Sequence, residues 1–391
     1  MNLDDCINVD DLRRMAKRQV PKIVYDFIEG GVDDERGLDR NEDAFRRRPL
    51  IPRYMVDVNK RDQSYELFGR RYASPFGIGP TGGVGNYRRG GDLMLAEAAR
   101  AADVPFIMSG TSNASMEEMA KVAPEHGWYQ VYAARDWSIT EDMIRRAIAL
   151  ELPALVVTVD VPTRVNRERN RRNGFGRPLK LSLATKIDAL RYPGWLLNYL
   201  RNGIAPMPNW APYATPGASN DDVVSFAAAQ TPAPVKWDDM LRIRELWPGP
   251  LSVKGIMRAD DAIRLADAGI DGVMVSNHGA RQLDRAPAPL DVLPSIVDAV
   301  GDRMTVMLDG GIRRGSDIFT ALCLGADFVF LGRATLYGVV AGGTAGATCA
   351  LGFLRNELDL VMGQIGCPSL DQVGRDFVDW DPDALRRNSR V

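Results

Sequence analysis

Eight short apolar runs, separated by segments in which apolar residues recur at helical spacing, constrain the fold of this chain most strongly. Unbroken apolar runs are typical of parallel strands that are covered on both faces. The runs occupy residues 76–79, 104–108, 128–132, 155–159, 251–253, 273–275, 305–308 and 328–331. Eight strand–helix units, with no G-x-G-x-x-G motif after the first strand, predict an α/β fold of the TIM (β/α)8 barrel type rather than an open doubly wound sheet.

The rest of the chain divides around this barrel. Residues 1–72 precede it, and apolar residues at helical spacing within 9–29 predict an N-terminal helical cap. The barrel itself spans 73–368, with a proline-rich inserted loop at 174–235 after the fourth strand, and 369–391 form a C-terminal tail. An excursion as long as 174–235 inside a compact barrel usually serves a function.

Two helix starts within the barrel carry the spacing of a capping box. Ser115 precedes Glu118 by three residues, and Ser138 precedes Glu141 in the same way. A serine hydroxyl and the following glutamate can each satisfy a free backbone N–H of the first turn. Both pairs therefore predict that a helix begins there.

Composition and charge exclude several classes of protein. The 391 residues are 45% hydrophobic and 26% charged, as in globular proteins. Lys and Arg total 49 against 51 Asp and Glu, so the net charge of −2 provides no general attraction for nucleic acid. Residues 334–354 are uncharged, but their glycines make a membrane-spanning helix improbable.

Cysteine and histidine usage limits the metal and redox chemistry. The four cysteines form no C-x-x-C pair, which argues against a zinc ribbon or a disulfide framework and favours a reducing, cytoplasmic compartment. The acidic N-terminus does not have the pattern of a secretory signal. With only two histidines, a histidine-based metal site is excluded, and no metal is predicted.

Polar residues stand at the carboxyl ends of the predicted strands, where barrel enzymes form their active sites. They are Ser109, Gln130, Tyr132, Thr158, Asp160, Lys254, Ser276, Asn277, His278, Asp309, Gly310, Gly311, Gly332 and Arg333. Gly310-Gly311 with Arg313, and Gly332-Arg333, match the usual phosphate site of such barrels, where backbone N–H groups and a helix N-terminus receive an anion.

Candidate acid–base and carboxylate-binding groups lie in the same region. His278 ends a strand and is the better general base, whereas His126 sits in a Glu-His-Gly turn that predicts an exposed loop. Arginines cluster after the fourth strand, and two guanidinium groups over the strand ends would clamp a small acid. The cluster comprises Arg164, Arg167, Arg169, Arg171 and Arg172, with Arg281 following His278. A solvated arginine run is the alternative, and Lys254 beside a phosphate site also permits a Schiff-base aldolase.

These residues resemble a known group, the FMN-dependent (S)-2-hydroxy acid oxidases and dehydrogenases. The group includes glycolate oxidases, flavocytochrome-type lactate dehydrogenases and (S)-mandelate dehydrogenases, and the chain is most similar to the last. The matching motifs, which cover the chain to about residue 368, are PKIVYD from 21, GG at 30, GPTG from 79, QVY from 130, TVD from 158, VKG from 253, SNHG from 276, RQLD from 281, DGGIRRG from 309 and LGR from 331.

The resemblance implies a catalytic role for each strand-end group. His278 would take a proton from the substrate, and Asp160 would hold its imidazole and stabilise the charged form. Arg281 and Arg167 would bind the substrate carboxylate, and Tyr132 would hydrogen-bond the oxygen on the reacting carbon.

The same resemblance implies FMN as the cofactor. Lys254 would lie beside the flavin ring where negative charge accumulates on reduction. The other implied contacts to the ring, ribityl chain and phosphate are Pro80, Thr81, Gly82, Ser109, Gln130, Thr158, Ser276, Asp309, Gly311, Arg313, Gly332 and Arg333.

Departures from the family pattern point to the substrate. Phe27 replaces a tyrosine that helps to bind the substrate carboxylate, and Thr111 replaces an aromatic residue of the glycolate oxidase-like members. Gly82 stands where alanine is usual against the flavin, so the pocket has room for an aryl group. Ala280 replaces the second glycine of His-Gly-Gly-Arg and is expected to shift that loop slightly. Mandelate or another bulky 2-hydroxy acid is therefore the expected substrate.

The inserted loop 174–235 bears on which acceptor takes the electrons from the reduced cofactor. Residues 186–201 combine Leu, Tyr and Trp with Lys186, Arg191 and Arg201, which suits a peripheral contact with a membrane. By resemblance to the mandelate dehydrogenases, quinone or another membrane acceptor would take the electrons at the inner face of the cell membrane. The alternatives are a lid on the barrel, an oxygen-reducing oxidase, a lactate dehydrogenase and a flavin-binding scaffold without activity. The family also implies a homotetramer.

Overall fold

Eight parallel strands close into a barrel, as the sequence predicts. The structure is a computed structural model that describes residues 2–175 and 182–379. A short antiparallel pair, β1 (Tyr65–Leu67) and β2 (Arg70–Tyr72), precedes the barrel. The barrel strands are β3 (Phe76–Ile78), β4 (Phe106–Met108), β5 (Gly127–Val131), β6 (Leu155–Thr158), β7 (Leu251–Ile256), β8 (Gly272–Val275), β9 (Thr305–Asp309) and β10 (Phe328–Leu331). They pair in chain order, and β10 closes the barrel on β3.

All eight predicted strands are confirmed, and the largest difference in their bounds is at β7. That strand was expected to end at 253 but extends to Ile256, because Lys254 still pairs with Thr158 of β6 and Met274 of β8. The register between β7 and β8 shifts after Lys254, around Gly255. The shift falls at the carboxyl end of the strand, beside the predicted site.

Fifteen α-helices are present in the described part of the chain. Those before the barrel are α1 (Val9–Lys17), α2 (Lys22–Glu29) and α3 (Arg36–Arg46). The others are α4 (Gly91–Ala101), α5 (Met116–Val122), α6 (Trp137–Ala149), α7 (Glu168–Arg172), α8 (Leu183–Ala189), α9 (Pro193–Asn202), α10 (Asn220–Gln230), α11 (Trp237–Leu246), α12 (Ala259–Asp267), α13 (Pro289–Val300), α14 (Gly315–Cys323) and α15 (Arg333–Ile365).

One of the two predicted capping boxes is correct. Ser115 Oγ accepts a hydrogen bond from Glu118 N at 3.1 Å, and Ser115 N donates to the Glu118 carboxylate at 2.8 Å. The box at Ser138 is wrong, because Asp136 caps α6 instead. The Asp136 carboxylate accepts from both the backbone N–H and the hydroxyl of Ser138. Ser138 therefore lies inside the first turn.

The hairpin seals one end of the barrel. Leu67 and Tyr72 pack against interior side chains of the strands, among them Trp128 and Phe328. The hairpin lies at the end where the strands begin, since Tyr72 is followed directly by β3. The barrel is thus closed below by apolar packing, and polar groups collect at the opposite end.

Helix α15 contains the whole uncharged stretch 334–354. It is kinked at Gly342 and Gly343, where Gly343 has φ of +61°. By length and composition it could cross a membrane, but 61% of its apolar window is buried. It packs against α1, α4 and α14, as a core helix does.

Of the other predicted segments, the inserted loop 174–235 contains α8, α9 and α10, and its residues 176–181 lie outside the described residues. The predicted helical stretch 9–29 forms two helices, because Pro21 separates α1 from α2. Residues 380–391 of the predicted tail also lie outside the described residues.

Candidate active site

A cavity of about 480 Å³ opens at the carboxyl ends of the strands. The predicted site residues that line it are Phe27, Pro80, Thr81, Gly82, Thr111, Tyr132, Arg167, Lys254, His278, Arg281, Asp309, Gly311, Arg313, Gly332 and Arg333. Five other predicted residues lie at the same strand ends but do not line the cavity: Ser109, Gln130, Thr158, Asp160 and Ser276. The fold therefore brings the predicted set to one place.

His278 and Asp160 form a hydrogen-bonded pair. Nδ1 of His278 lies 2.9 Å from Oδ1 of Asp160, and the two side chains are 18% and 11% exposed. Burial lowers the pKa of His278, against the opposing effect of the Asp160 charge. Burial raises the pKa of Asp160, but the charges of His278 and Lys254 outweigh it and hold that pKa below its usual value. The imidazole is thus neutral, with a fixed orientation, near neutral pH.

The backbone conformation around His278 explains how its imidazole is oriented towards Asp160. His278, Gly279 and Ala280 all have positive φ, of 59°, 63° and 59°. Ser276 Oγ accepts from His278 N at 3.0 Å, and Asn277 Oδ1 accepts from Ala280 N at 3.0 Å. These two side chains stabilise a left-handed turn that glycine would adopt more easily than Ala280.

Gly255 allows Asp160 to approach this turn. A Cβ at Gly255 would lie 2.5 Å from Cβ of Asp160, closer than two carbon atoms can pack. Gly255 also has φ of +104° and follows Lys254 at the register shift of β7. Any larger residue here would displace the carboxylate that holds His278.

The guanidinium groups of Arg167 and Arg281, which both line the cavity, have no carboxylate partner among the described residues. Arg281 donates to Phe27 O and Gly30 O, each at 2.8 Å, and Arg167 Nε donates to Arg281 O at 3.4 Å. Burial lowers the pKa of Arg281, and the nearby charge of Arg167 lowers it further. The site is therefore short of negative charge and favours an anionic ligand such as a carboxylate.

The other arginines of the cluster after β6 are engaged elsewhere. Arg169 pairs with Glu35, and Arg172 pairs with Glu168. Arg171 donates to Asn166 Oδ1 at 2.7 Å, and Arg164 donates to Ala228 O at 3.4 Å. Of the five, only Arg167 lines the cavity.

Lys254 is buried and paired. Its ammonium lies 2.7 Å from the Asp309 carboxylate and also donates to Ser276 Oγ, and the residue is only 3% exposed. A lysine paired with a carboxylate in this way acts as a fixed positive charge rather than as a nucleophile.

Tyr132 lies in the cavity beside this pair. Burial raises the pKa of its phenol, and the negative charge of Asp160 raises it further. The hydroxyl is therefore neutral and able to donate a hydrogen bond.

Several buried polar atoms around the cavity have no hydrogen-bond partner within the described chain. They are Thr81 Oγ1, Gln130 Nε2, Thr158 Oγ1 and Asp309 Oδ1. Leaving such atoms unpaired costs about 1–3 kcal/mol each, so a ligand with matching donors and acceptors is expected between them. The flavin ring of FMN offers both donors and acceptors along one edge, and the residues present fit it.

The glycine turns after β9 and β10 fit the phosphate end of the same cofactor. A Cβ at Gly332 would meet nothing within 4 Å, so open space lies above the start of α15. Gly311 has φ of +86°, and a Cβ there would lie 2.4 Å from Asn41 O. The bare backbone of Gly332 therefore faces open space next to a helix N-terminus that attracts an anion, whereas Gly311 allows α3 to pack against the turn after β9.

The two arginines of these turns, Arg313 and Arg333, use much of their hydrogen-bonding capacity on the protein itself. Arg333 donates to Ile28 O, Gly30 O and Gly279 O, and Arg313 lies 3.2 Å from Glu42. Two of the five N–H groups of Arg333 remain for a ligand. The arginines thus tie the N-terminal helices to the turns as well as lining the cavity.

The sequence analysis gave a lid on the barrel only as an alternative role for the inserted loop, and it named none of the residues that form the roof of the cavity. The roof is formed by apolar residues of the inserted loop, namely Ile204, Ala205, Met207, Val224, Ala227, Ala228 and Pro232. Asn86, Tyr87 and Asn113, which follow β3 and β4, also line the cavity and were missed. Their position in loops at the carboxyl ends of strands was the available signal.

His126 is not the exposed loop residue that the sequence suggested. It is 7% exposed, and its Nε2 lies 2.9 Å from Asp103 Oδ1 and 3.0 Å from Arg70 Nη2. It precedes β5 directly, so it lies at the sealed end of the barrel. The correction leaves His278 as the histidine of the site.

Helices α8 and α9 present an apolar face to solvent. The exposed fractions are 73% for Leu183, 52% for Ile187, 67% for Leu190, 53% for Leu197 and 70% for Leu200. Lys186, Arg191 and Arg201 are also exposed on these helices. A monomeric protein rarely exposes so many large apolar side chains together.

Comparisons with known proteins agree with this geometry. A family model described as FMN-dependent dehydrogenase matches residues 16–380. The (S)-mandelate dehydrogenase of Pseudomonas putida is 39% identical over 371 residues, which are 95% of this chain and 93% of that protein. A peroxisomal (S)-2-hydroxyacid oxidase of Arabidopsis thaliana is 34% identical over 98% of this chain and 99% of that protein.

A solved structure is similar over the whole fold. That of the monotopic membrane protein (S)-mandelate dehydrogenase matches with a TM-score of 0.92 at 38% identity, covering 96% of this chain and 100% of that chain.

Proposed function

The chain belongs to the FMN-dependent dehydrogenase family, and on that basis we propose that it oxidises an aryl or other bulky (S)-2-hydroxy acid, such as mandelate, to the 2-oxo acid. The two relatives compared above are an (S)-mandelate dehydrogenase and an (S)-2-hydroxyacid oxidase. We further propose that the electrons pass to quinone or another membrane acceptor. The observation that carries the proposal is the His278–Asp160 pair, which faces the same cavity as two guanidinium groups without carboxylate partners. Family membership removes the aldolase alternative for Lys254.

The proposed roles follow from the positions of the side chains. Arg281 and Arg167 bind the substrate carboxylate, and the neutral phenol of Tyr132 donates to the oxygen on the reacting carbon. Neutral His278 accepts a proton at Nε2, and Asp160 stabilises the imidazolium that results. The apolar roof excludes water from these groups, which strengthens each electrostatic interaction.

Residues at the same carboxyl ends of the strands would hold the cofactor. When bound, FMN accepts the two electrons that leave the substrate. Thr81, Gln130, Thr158 and Asp309 would offer their unpaired atoms to the ring, and Ser109 and Ser276 follow the carboxyl ends of β4 and β8. The ammonium of Lys254 provides positive charge close to them, and Gly311, Arg313, Gly332 and Arg333 form the phosphate end.

The size of the cavity supports a bulky substrate. The space beside Gly82 does not itself enlarge the cavity, because a Cβ there would lie 2.0 Å from Thr111 Oγ1, which occupies it and contacts Ser109 Oγ. Phe27 packs on Phe175 with ring centroids 4.5 Å apart, and the inserted loop adds an apolar roof. An aryl group would bury apolar surface against these residues at about 25 cal/mol per Å².

The apolar face of α8 and α9 supports a peripheral membrane contact. Exposed leucines with Lys186, Arg191 and Arg201 beside them suit the interface of an anionic bilayer. We place the protein in the cytoplasm at the inner face of the cell membrane, as a homotetramer. Residues 1–72 then act as the cap of the barrel 73–368, 174–235 as its roof and membrane contact, and 369–391 as a tail.

Steady-state turnover tests substrate and acceptor together. Purified holoenzyme is assayed with (S)-mandelate and (S)-lactate, using a soluble quinone analogue, while hydrogen peroxide is measured in parallel. We expect a higher kcat/KM for mandelate, with electrons recovered in the quinone. Peroxide formed in step with turnover would identify an oxidase instead, and a preference for lactate would refute the bulky substrate.

A further inference from the structure

A hydrogen bond from Trp195 joins the inward side of α9 to the loop that follows β3. Its indole Nε1 donates to the backbone oxygen of Asn86 at 3.0 Å, and its ring stacks on Tyr199 at 5.3 Å. On the same helix, Leu197 and Leu200 are 53% and 70% exposed. Helix α9 thus joins the outward apolar face to Asn86, a residue that lines the cavity.

Asn86 also holds the first part of the roof. Its Oδ1 accepts from Ala205 N at 3.3 Å, and its Nδ2 donates to Gly83 O at 3.2 Å. Ala205 and Gly83 both line the cavity. Three hydrogen bonds therefore centre on Asn86, and they join α9, the roof and the turn beside Gly82.

The connection from α9 to the roof is short. The helix ends at Asn202, and only Gly203 and Ile204 separate it from Ala205. The next residue, Pro206, is fixed to the barrel through its carbonyl, which accepts from Asn113 Nδ2 at 2.7 Å. Ile204 and Ala205 lie between α9 and the fixed residue Pro206. A change in the orientation of α9 is therefore transmitted to these two residues.

We propose that Asn86 is a positioning residue that couples α9 to the roof, so that docking of α8 and α9 on a lipid surface tightens substrate binding. The inference rests on the membrane contact proposed above. Apolar side chains held in the acyl region restrict the motion of both helices. A roof that is ordered before the substrate arrives loses less entropy when it binds, and the coupling must act in both directions.

Trp195→Phe tests the link, because it keeps a ring for stacking and removes only the indole N–H. Trp195 does not line the cavity. Holoenzyme is assayed with (S)-mandelate in the presence and absence of vesicles of phosphatidylethanolamine and phosphatidylglycerol, and vesicle binding is measured separately by co-sedimentation. For the wild type we expect vesicles to lower KM about five-fold at unchanged kcat. The variant should bind vesicles and keep its kcat, but lose most of the KM response.

Trp247→Phe is the matched control. Its indole also donates to a backbone carbonyl, that of Pro250 at 2.9 Å, but it lies at the end of α11 and away from the inserted loop. This variant should respond to vesicles as the wild type does. A second readout needs no variant: saturation with phenylacetate, an unreactive aryl acid, should strengthen the vesicle binding of the wild type.

Three results would overturn the coupling. They are a wild-type KM that vesicles do not change despite binding, a full KM response in Trp195→Phe, and vesicle binding that phenylacetate does not alter. If the enzyme oxidises mandelate but does not bind vesicles, the membrane contact is wrong and the coupling fails with it. If no 2-hydroxy acid is oxidised, the proposed substrate class is wrong instead.

Discussion

Nδ1 of His278 lies 2.9 Å from Oδ1 of Asp160, across the carboxyl ends of β8 and β6. The contact requires the left-handed turn at His278 and the absence of a side chain at Gly255. It fixes the orientation of the imidazole ring and leaves Nε2 as the ring nitrogen available for proton transfer. Among the described residues, Asp160 is the only titratable side chain bonded to Nδ1.

The pair sets the pH dependence of the enzyme. Because burial lowers the pKa of His278, kcat/KM should rise with pH through a value below about 6.5, as the imidazole loses its proton. Asp160→Asn removes a charge that raises this pKa, so the rise should move to still lower pH. The plateau should fall about 100-fold or more, because the imidazolium formed in the reaction loses its partner. Profiles of kcat/KM against pH measure both effects, and an unshifted profile would contradict the pairing.

Phe27→Tyr should improve the binding of small acids. The Phe27 ring lies 5.0 Å from the guanidinium carbon of Arg281 and lines the cavity, so a phenol can reach a carboxylate held there. One added hydrogen bond of about 1 kcal/mol lowers KM about five-fold. We expect this decrease for (S)-lactate and a smaller one for (S)-mandelate. An unchanged KM for lactate would show that position 27 does not contact the substrate.

Gly82 and Thr111 should act together on pocket size. Gly82→Ala places a methyl group 2.0 Å from Thr111 Oγ1, and such overpacking costs about 1–3 kcal/mol. The variant should melt at lower temperature and lose kcat/KM for mandelate more than for lactate. Adding Thr111→Ala removes the clash and should restore stability, so the two effects will not add. Simple additivity in a double-mutant cycle would disprove the contact.

Lys254 should control the reduction potential of the bound flavin. Its buried ammonium, 2.7 Å from Asp309, stabilises negative charge in the cavity. Lys254→Met should make the midpoint potential more negative by tens of mV, since about 30 mV corresponds to 1.4 kcal/mol for two electrons. Lys254→Arg keeps the charge and should shift the potential less. Equal potentials in Lys254→Met and the wild type would exclude this role.

Removal of FMN should destabilise the protein. Thr81, Gln130, Thr158 and Asp309 each have an unpaired buried atom at the proposed ring site. A ligand that binds only the folded state stabilises it by about 2.7 kcal/mol at 100 times its Kd. The apoprotein should therefore melt at lower temperature than the holoenzyme and recover with added FMN. Identical melting curves would mean that these atoms do not bind the cofactor.

The barrel could be predicted because its strands are buried on both faces. Such strands give apolar runs that do not depend on distant residues, and polar residues such as Asp160 and His278 then mark where each strand ends. The FMN-dependent family was identified from the same strand-end motifs, and the comparisons confirm it.

Contacts between distant segments could not be predicted in this way. The roof depends on Ala205 reaching Asn86, which is 119 residues away in the chain. His126 is buried against Asp103 and Arg70. A local choice was also missed, because Asp136 caps α6 in place of Ser138 and its carboxylate is the stronger acceptor. The spacing of the arginines alone did not distinguish Arg167 from Arg169, and only the family resemblance selected Arg167. In the structure Arg167 lines the cavity, whereas Arg169 pairs with Glu35.

The visible spectrum of the oxidised holoenzyme, recorded without oxygen before and after adding (S)-mandelate, is the most direct test of the proposed reaction. We predict that mandelate bleaches the flavin band, that (S)-lactate does so less efficiently, and that His278→Ala keeps a yellow flavin that mandelate does not bleach. A wild-type flavin that mandelate leaves oxidised, or full bleaching in His278→Ala, would contradict the account.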